Sequence, residues 1–265
     1  MWLQNAAFCY VPYLVLAGVL CSLFLRSIPG KKPAVGEMVK NMTDNKHAWF
    51  CVITYVMTFG SFSGLAAAFP LMIKSIYGTF PGAPDPLKYA FLGPLVGSAV
   101  RFVGGPLADR FGGSVWTQLS GLGLIAGCLM LIFGGYLTPT SLAQFNGFLW
   151  IMLFMFLMAG IGNFATFRQY PIVFAFNPRQ GAQILGWTGA WAAFGPFLFN
   201  TLMNASNAAT GSVKAFFWGA LAFYAVATWI NYWYYTRLKG ERYDFGTWKG
   251  TWWDKAKATW PDARA

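Results

Sequence analysis

The stretch GPLVGSAVRFVGGPLADR, residues 93–110, decides the fold. Before its charged end, Asp109 and Arg110, it is an apolar segment of helical length with a single charge, Arg101, in its middle. A guanidinium at the centre of a lipid bilayer costs about 2.5–3.5 kcal/mol on insertion scales. Gly93, Gly97 and Gly105 recur with Arg101 at four-residue intervals, which places all four near one helix face. Because small residues let a second helix approach closely, the stretch predicts a membrane helix that turns Arg101 into a bundle.

The composition of the 265-residue chain is typical of a membrane protein. Charged residues make up 10% and aromatic residues 19%, and the mean hydropathy is +0.47. A soluble domain usually has about 25% charged residues. Seven apolar segments are long enough to cross a hydrocarbon core of about 30 Å: residues 6–26, 48–73, 88–108, 114–136, 147–176, 181–203 and 214–236. The pattern predicts an all-α polytopic membrane protein with seven transmembrane helices.

The distribution of positive charge predicts how the helices are oriented. The net charge of +11 lies mainly between the apolar segments rather than on one basic face, so we expect no nucleic-acid partner. If the N-terminus is outside, the inner loops and tail hold fourteen of the Lys and Arg residues, and the outer segments hold three. Since positive charge concentrates on the cytoplasmic side, this predicts a multi-pass protein of the inner (cytoplasmic) membrane with its N-terminus outside and its C-terminus cytoplasmic.

The segments predicted to span the membrane lack the side chains of an enzyme site. None contains Asp or Glu, and the single histidine, His47, borders a span. The four cysteines show no metal-ligand spacing. An enzyme would need paired carboxylates, a histidine cluster or a nucleophile with its base. We therefore expect no catalytic residues, no metal site and no cofactor.

Arg101 has no carboxylate within the spans as a partner, so an anion in a wet cavity is a natural ligand. The alternative is an arginine that satisfies neighbouring carbonyl groups. In the preceding span, Tyr55, Phe59 and Phe62 are spaced i, i+4 and i+7 and share a helix face. Such a row is either ordinary packing or a set of rings that flank a flat anion and stack on the guanidinium. In the second case the Tyr55 hydroxyl could donate a hydrogen bond.

Two further polar groups lie near span ends. In AGIGNFATFRQYPIVF, residues 159–174, Arg168 either extends to the inner surface or forms, with Asn163, a second anion or gate site. Asp109 and Arg110 end the third span in GGPLADRFGG. They form either a turn in which Asp109 caps the next helix or a conformational latch.

The motifs together resemble a known transporter family. GGPLADRFGG resembles the G-x-L-x-D-R-x-G-G signature found after the second and eighth helices of the major facilitator superfamily. TYVMTFGSFSGLAAAFPLMIK (54–74), YAFLGPLVGSAVRFVGGPLADRFGG (89–113) and AGIGNFATFRQYPIVF (159–174) resemble the seventh, eighth and tenth helices of the nitrate/nitrite porters, in that order. The resemblance covers nearly the whole chain and implies helices 6–12 of a major facilitator fold, the C-terminal half.

The resemblance also implies roles for individual residues. In that family a transmembrane arginine from each half clasps nitrate or nitrite between aromatic side chains. Arg101 would be the arginine of the C-terminal half, and Tyr55 and Phe59 would be the aromatic residues of the substrate site. Asp109 and Arg110 would form the cytoplasmic latch.

The sequence departs from the family pattern in three ways. The first five helices, with the partner arginine, are missing. The glycine-rich eleventh helix reads GWTGAWAAFGPF here and carries Trp187, Trp191 and Pro196. Arg168 stands where the family leads us to expect an uncharged residue such as glutamine.

The expected organisation has four parts. Residues 1–30 form an extra transmembrane helix (family helix 6), 31–47 a cytoplasmic linker, 48–238 the six-helix C-terminal half, and 239–265 a cytoplasmic tail rich in Trp and Lys. Within the tail, WKGTWWDKAKATW (248–260) is either an interfacial anchor beside anionic lipid or a segment that binds a partner.

These observations lead to two functional hypotheses. The first is transport of nitrate or nitrite, by anion exchange and alternating access about a midplane site, as the C-terminal half of a split or truncated porter. This hypothesis requires a separately encoded N-terminal half. The second is a porter-derived structural subunit that does not transport and belongs to a membrane protein complex.

Overall fold

The structure, a computed structural model, describes residues 8–25 and 35–244, and these residues form helices and turns without a strand. The α-helices are α1 (Val11–Phe24), α2 (Val35–Thr43), α3 (Lys46–Tyr55), α4 (Ser61–Tyr77), α5 (Pro86–Tyr89), α6 (Leu92–Phe111), α7 (Gly113–Phe133), α8 (Phe145–Val173), α9 (Pro178–Ala192), α10 (Gly195–Thr210) and α11 (Lys214–Asn231). Two π-helical turns, Val56–Gly60 and Tyr232–Thr236, follow α3 and α11.

Within these residues, four helical segments are long and apolar enough to cross a membrane. They are Lys46–Tyr77, Pro86–Phe111, Gly113–Phe133 and Leu142–Val173. Each contains or nearly matches one of the second to fifth predicted spans, so those four predictions are confirmed. The described part of the chain is all-helical, as in a multi-pass membrane protein.

The sixth predicted span, 181–203, is wrong as a single helix. The helix is interrupted at Ala193 and Phe194, which separate α9, of 15 residues, from α10, of 16 residues. Pro196 lies in the first turn of α10, where its missing N–H removes the hydrogen bond that would continue α9. Neither helix alone reaches the roughly 20 residues that cross a bilayer.

The chain divides into two compact units between Met38 and Val39. In the first unit, α1 has 14 residues, all of them exposed. The predicted first span, 6–26, extends beyond the described residues at both ends. The segment 31–47, predicted as a linker, contains α2.

In the second unit, α8 is the central helix and packs against α6 and α7. Glycines allow these contacts to be close. A Cβ atom on Gly160 of α8 would lie 2.3 Å from the carbonyl oxygen of Gly97 on α6. A Cβ atom on Gly127 of α7 would lie 2.4 Å from the side chain of Met155. The glycines therefore let α6 and α7 pack closely against α8, as is typical of small-residue packing in membranes.

The predicted glycine face of α6 is correct at its start and wrong at its end. Gly93 and Gly97 are buried, but Gly105 is exposed, and the buried glycine there is Gly104. A Cβ atom on Gly104 would lie 2.1 Å from the ring of Phe164. Four residues turn a helix by about 400°, so a strict four-residue repeat drifts by about 40° at each step and leaves the contact after three steps.

We expect Gly160→Ala to lower the free energy of unfolding by about 1–3 kcal/mol, because the new methyl group meets backbone that cannot rotate away. Gly105→Ala is the matched control, since nothing lies within 4 Å of a Cβ atom there. Chemical unfolding of the purified protein in detergent measures both. An equal loss in the two variants would contradict the close approach of α6 to α8.

Candidate anion-binding site

Arg101 lies in the middle of α6, and its side chain turns toward α4 and the π-helical turn that precedes α4. Its guanidinium carbon is 4.3 Å from the ring centroid of Phe62 and 5.8 Å from that of Phe59. Among the described residues, its Nε and Nη2 atoms are buried and have no hydrogen-bond partner. These two nitrogens form one edge of the guanidinium. A buried cation with two unpaired donors is suited to binding an anion.

A row of three aromatic rings lines the helix that faces Arg101. Tyr55 and Phe59 stack with centroids 5.4 Å apart and planes 16° apart. Phe59 and Phe62 follow at 6.2 Å and 27°. The π-helical turn Val56–Gly60 lies within this row, and such turns are frequent at functional sites. The structure thus places the three rings on one face, as their spacing predicts.

Asn163 of α8 supports Tyr55 directly. Its Nδ2 atom donates a hydrogen bond to the Tyr55 hydroxyl at 3.4 Å. Asn163 is 3% exposed and Tyr55 is 4% exposed. Because the hydroxyl oxygen accepts from Asn163, its own proton can be donated to another acceptor. Asn163 therefore belongs with the aromatic row.

Arg168, five residues further along α8, contacts different groups. Its Nη1 donates to the carboxylate of Asp244, and its Nε lies 3.6 Å from the carboxylate of Asp109. The Arg168 side chain is 11% exposed. Held by two carboxylates in this way, Arg168 is suited to a gate or latch rather than to binding a mobile anion. The structure does not bring Arg168 and Asn163 into one site.

Asp109 does not cap the following helix, and that prediction is wrong. The cap position of α7 is Gly112, and it makes no side-chain hydrogen bond. The acceptor at this helix end is instead Asp244, which receives the N–H of Ser114 at 3.1 Å. Asp109 pairs with Arg168, while the guanidinium of Arg110 lies 5.3 Å from the ring of Phe111.

Residues 237–244 form a strap that folds back after the last helix. The backbone N–H groups of Arg242 and Asp244 donate to the carbonyls of Tyr234 and Tyr235 at 3.0 and 2.9 Å. Burial raises the pKa of the Asp244 carboxyl to about 6, although Arg168 favours its charged form. Asp244 is therefore a carboxylate at neutral pH.

The strap joins the ends of three helices. Glu241 accepts a hydrogen bond from Lys46 of α3 at 2.7 Å, and its second oxygen lies 3.1 Å from Nε2 of His47. Arg242 donates to the carbonyl of Val173 at the end of α8 at 2.8 Å, and Asp244 meets the start of α7. Residues 239–244, predicted to begin a tail, thus pack in the bundle, while the segment 248–260 lies outside the described residues.

Two acidic residues in the sequence indicate the strap, although an analysis of helix periodicity does not consider them. Glu241 and Asp244 are two of only eight acidic residues in the chain, and they stand within an otherwise basic segment. Acidic residues placed there indicate cations nearby, here Lys46 and Arg168.

The tryptophans that replace the family's glycine-rich pattern pack on α3. Trp187 and Trp191 of α9 lie 5.9 and 5.8 Å from the ring of Trp49, at steep angles. Trp191 is 41% exposed. The bulky rings therefore extend the contact between α3 and α9 and leave an aromatic surface there.

The arrangement around Arg101 suits binding rather than bond making. It offers a charged donor edge, flat apolar walls and a phenol hydroxyl. Within residues 8–25 and 35–244, no group of His, Cys, Asp and Glu side chains is placed to hold a metal ion.

Comparison with known proteins identifies relatives of this chain. No protein-family model matches the chain. Over 242 residues it is 46% identical to the probable nitrate/nitrite antiporter NarK2 of Thermus thermophilus, covering 91% of this chain and 53% of that protein. Over 264 residues it is 28% identical to the nitrate/nitrite transporter NarU of Escherichia coli (strain K12), covering 90% of this chain and 54% of that protein.

The chain thus spans about half the length of the curated relatives it matches. These relatives are transporters and not enzymes, which agrees with the expectation drawn from the sequence. The resemblance to nitrate/nitrite porters is confirmed, and the coverage is in keeping with a C-terminal half. The chain is a homologue of the nitrate/nitrite transporters and corresponds in length to about half of such a protein.

Proposed function

We propose that this chain forms half of a nitrate/nitrite porter and supplies Arg101 to its anion site. The observation that carries the proposal is the buried, unpartnered Nε–Nη2 edge of Arg101 beside two aromatic rings. A monovalent anion on this edge would neutralise a buried charge that has no carboxylate close to it among the described residues.

The geometry fits a small planar oxyanion. Two parallel N–H donors of an arginine match two oxygen atoms of nitrate or nitrite, and such bidentate bonds are charge-assisted. The rings of Phe59 and Phe62 provide flat walls, and the Tyr55 hydroxyl provides a further donor. In this proposal Arg101 supplies charge, Tyr55 a hydrogen bond, and Phe59 a wall.

The proposal requires a partner that covers the helix carrying Arg101. Only 17% of the apolar part of Pro86–Phe111 is buried within the chain. Phe102, next to Arg101, is 88% exposed, and Leu95 is 55% exposed. A separately encoded N-terminal half with its own arginine would complete the site and allow alternating access about it.

The remaining features are assigned on the same basis. The helices would correspond to helices 6–12 of a major facilitator fold, with α9 and α10 together forming one broken span. The N-terminus would lie outside, and the strap would lie on the cytoplasmic side with the latch residues Asp109 and Arg110. Arg168 would hold that latch. The segment 248–260 would contact anionic lipid.

The test is anion exchange by the chain with its native partners. The tagged chain is purified from its own membrane with whatever co-purifies and reconstituted into vesicles loaded with nitrite. We expect uptake of isotopically labelled nitrate that depends on internal nitrite. Uptake no greater than that of empty vesicles would contradict the proposal.

The exposed tryptophan surface on α9 favours the second candidate function, a structural subunit of a membrane complex. In that case the chain would co-purify with enzyme subunits and would bind no nitrate. The same purification therefore separates the two functions, because only a porter half binds and exchanges the anion.

A further inference from the structure

We propose that Phe62 is a positioning residue of this anion site. The guanidinium of Arg101 lies over its ring, which holds the buried Nε–Nη2 edge in place with both donors unpaired among the described residues. The inference rests on the proposed function, since it presupposes that Arg101 binds an anion.

Phe62 is the ring nearest to Arg101. Its centroid lies 4.3 Å from the guanidinium carbon, whereas that of Phe59 lies at 5.8 Å. A cation within about 6 Å of a ring centroid is attracted by the negative face of the ring. Phe62 is 9% exposed, so little water competes for this contact.

Two neighbours fix the ring of Phe62. A Cβ atom on Gly97, one turn before Arg101 on α6, would lie 2.6 Å from Cε2 of Phe62, so the ring occupies the space that a larger residue would fill. Phe156 of α8 meets Phe62 edge-on, with centroids 6.1 Å apart and planes 87° apart. The ring cannot turn away without displacing α6 or α8.

This arrangement orients the donors without competing for them. All five N–H bonds of a guanidinium lie in its plane, and the Nε and Nη2 atoms of Arg101 have no hydrogen-bond partner among the described residues, so the contact with Phe62 leaves these two donors unused. An arginine held in this way presents a fixed fork to a planar oxyanion. A spherical anion such as chloride gains less from a fixed fork, because it lacks two oxygen atoms to match. Phe62 should therefore affect the preference for nitrate over chloride as well as affinity.

Fluorination of the ring tests the proposal with little change of shape. Incorporation of 3,4,5-trifluorophenylalanine at position 62 weakens the negative face of the ring. We expect the nitrate affinity of the chain, purified from its own membrane with its partners and placed in lipid nanodiscs, to fall about 2- to 30-fold, the range given by cation–π energies. Titration calorimetry with sodium nitrate and with sodium chloride measures this, and the ratio of the two affinities should fall as well.

The same substitution at Phe69 is the matched control. Phe69 is fully buried on the same helix and packs edge-on against Phe156, like Phe62. Its fluorinated variant should bind nitrate as the unmodified chain does. Unchanged nitrate affinity with fluorine at position 62 would overturn the role of Phe62 and leave the proposed function standing. Failure of the unmodified chain with its co-purified partners to bind nitrate would overturn both.

Discussion

Replacement of Arg101 by lysine should weaken nitrate binding by roughly 10- to 150-fold, the value of one hydrogen bond to a charged group. Lysine keeps the positive charge but offers a compact ammonium in place of a planar fork. The second donor to the anion is therefore lost, and so is the stacking of the guanidinium on Phe62. Arg101→Ala should abolish measurable binding, because charge and donors disappear together. Titration calorimetry in nanodiscs, on each variant with its co-purified partners, measures the affinities.

Arg237→Lys is the matched control for this experiment. The guanidinium of Arg237 also lies over an aromatic ring, 3.6 Å from the centroid of Trp233, but Arg237 is only half-buried, makes an exposed hydrogen bond to the Trp233 carbonyl and lies outside the site. Its replacement should leave nitrate affinity unchanged. If Arg101→Lys binds nitrate as tightly as the unmodified chain, Arg101 contributes only its positive charge, and the proposal of bidentate binding is wrong.

The helix face that carries the Arg101 side chain could be predicted from sequence, because it depends on local helix geometry. Gly93 and Gly97 precede it at four-residue intervals, over which the drift of the helix is still small. The row from Tyr55 to Phe62 could be predicted for the same reason. Gly105, the fourth residue of this repeat, lies too far along α6 for that rule, and the buried glycine there is Gly104.

The break between α9 and α10 could not be predicted from residue type. Pro70, Pro106 and Pro171 all lie inside continuous helices of this chain. Pro196 instead marks a helix start. Membrane helices tolerate proline where neighbouring groups satisfy the freed carbonyl, so the outcome depends on tertiary contacts. Here Gly195 meets the backbone of Gly60, which fixes where α10 begins.

The partner of Arg168 could not be predicted from helix patterns either. Asp244 lies 76 residues away in sequence, after the last helix. Periodicity treats such a segment as a tail, because it has no apolar face. Arg168 contacts the buried carboxylate of Asp244, rather than water or an anion, because the strap folds back onto the bundle. This contact is visible only in the structure.

Asp244→Asn should lower the free energy of unfolding by about 3 kcal/mol or more, because it leaves Arg168 without its nearest carboxylate in a buried place. The Asp244 side chain is 3% exposed and that of Arg168 is 11% exposed. Glu241→Gln in the same strap is the control, since its side chain is 47% exposed and its pair with Lys46 faces water. That variant should lose at most about 1 kcal/mol. Chemical unfolding in detergent measures both.

A double variant, Arg168→Met with Asp244→Asn, separates two explanations of the loss. If the cost comes from an unpaired buried charge, removal of the arginine should restore most of the stability, as it does when both members of a buried pair are replaced. Asp109 would then lose its partner at little cost, because its side chain is 76% exposed. If the double variant stays as unstable as Asp244→Asn alone, the loss instead comes from the contact of Asp244 with the start of α7. The buried ion pair would then not be what holds the strap in place.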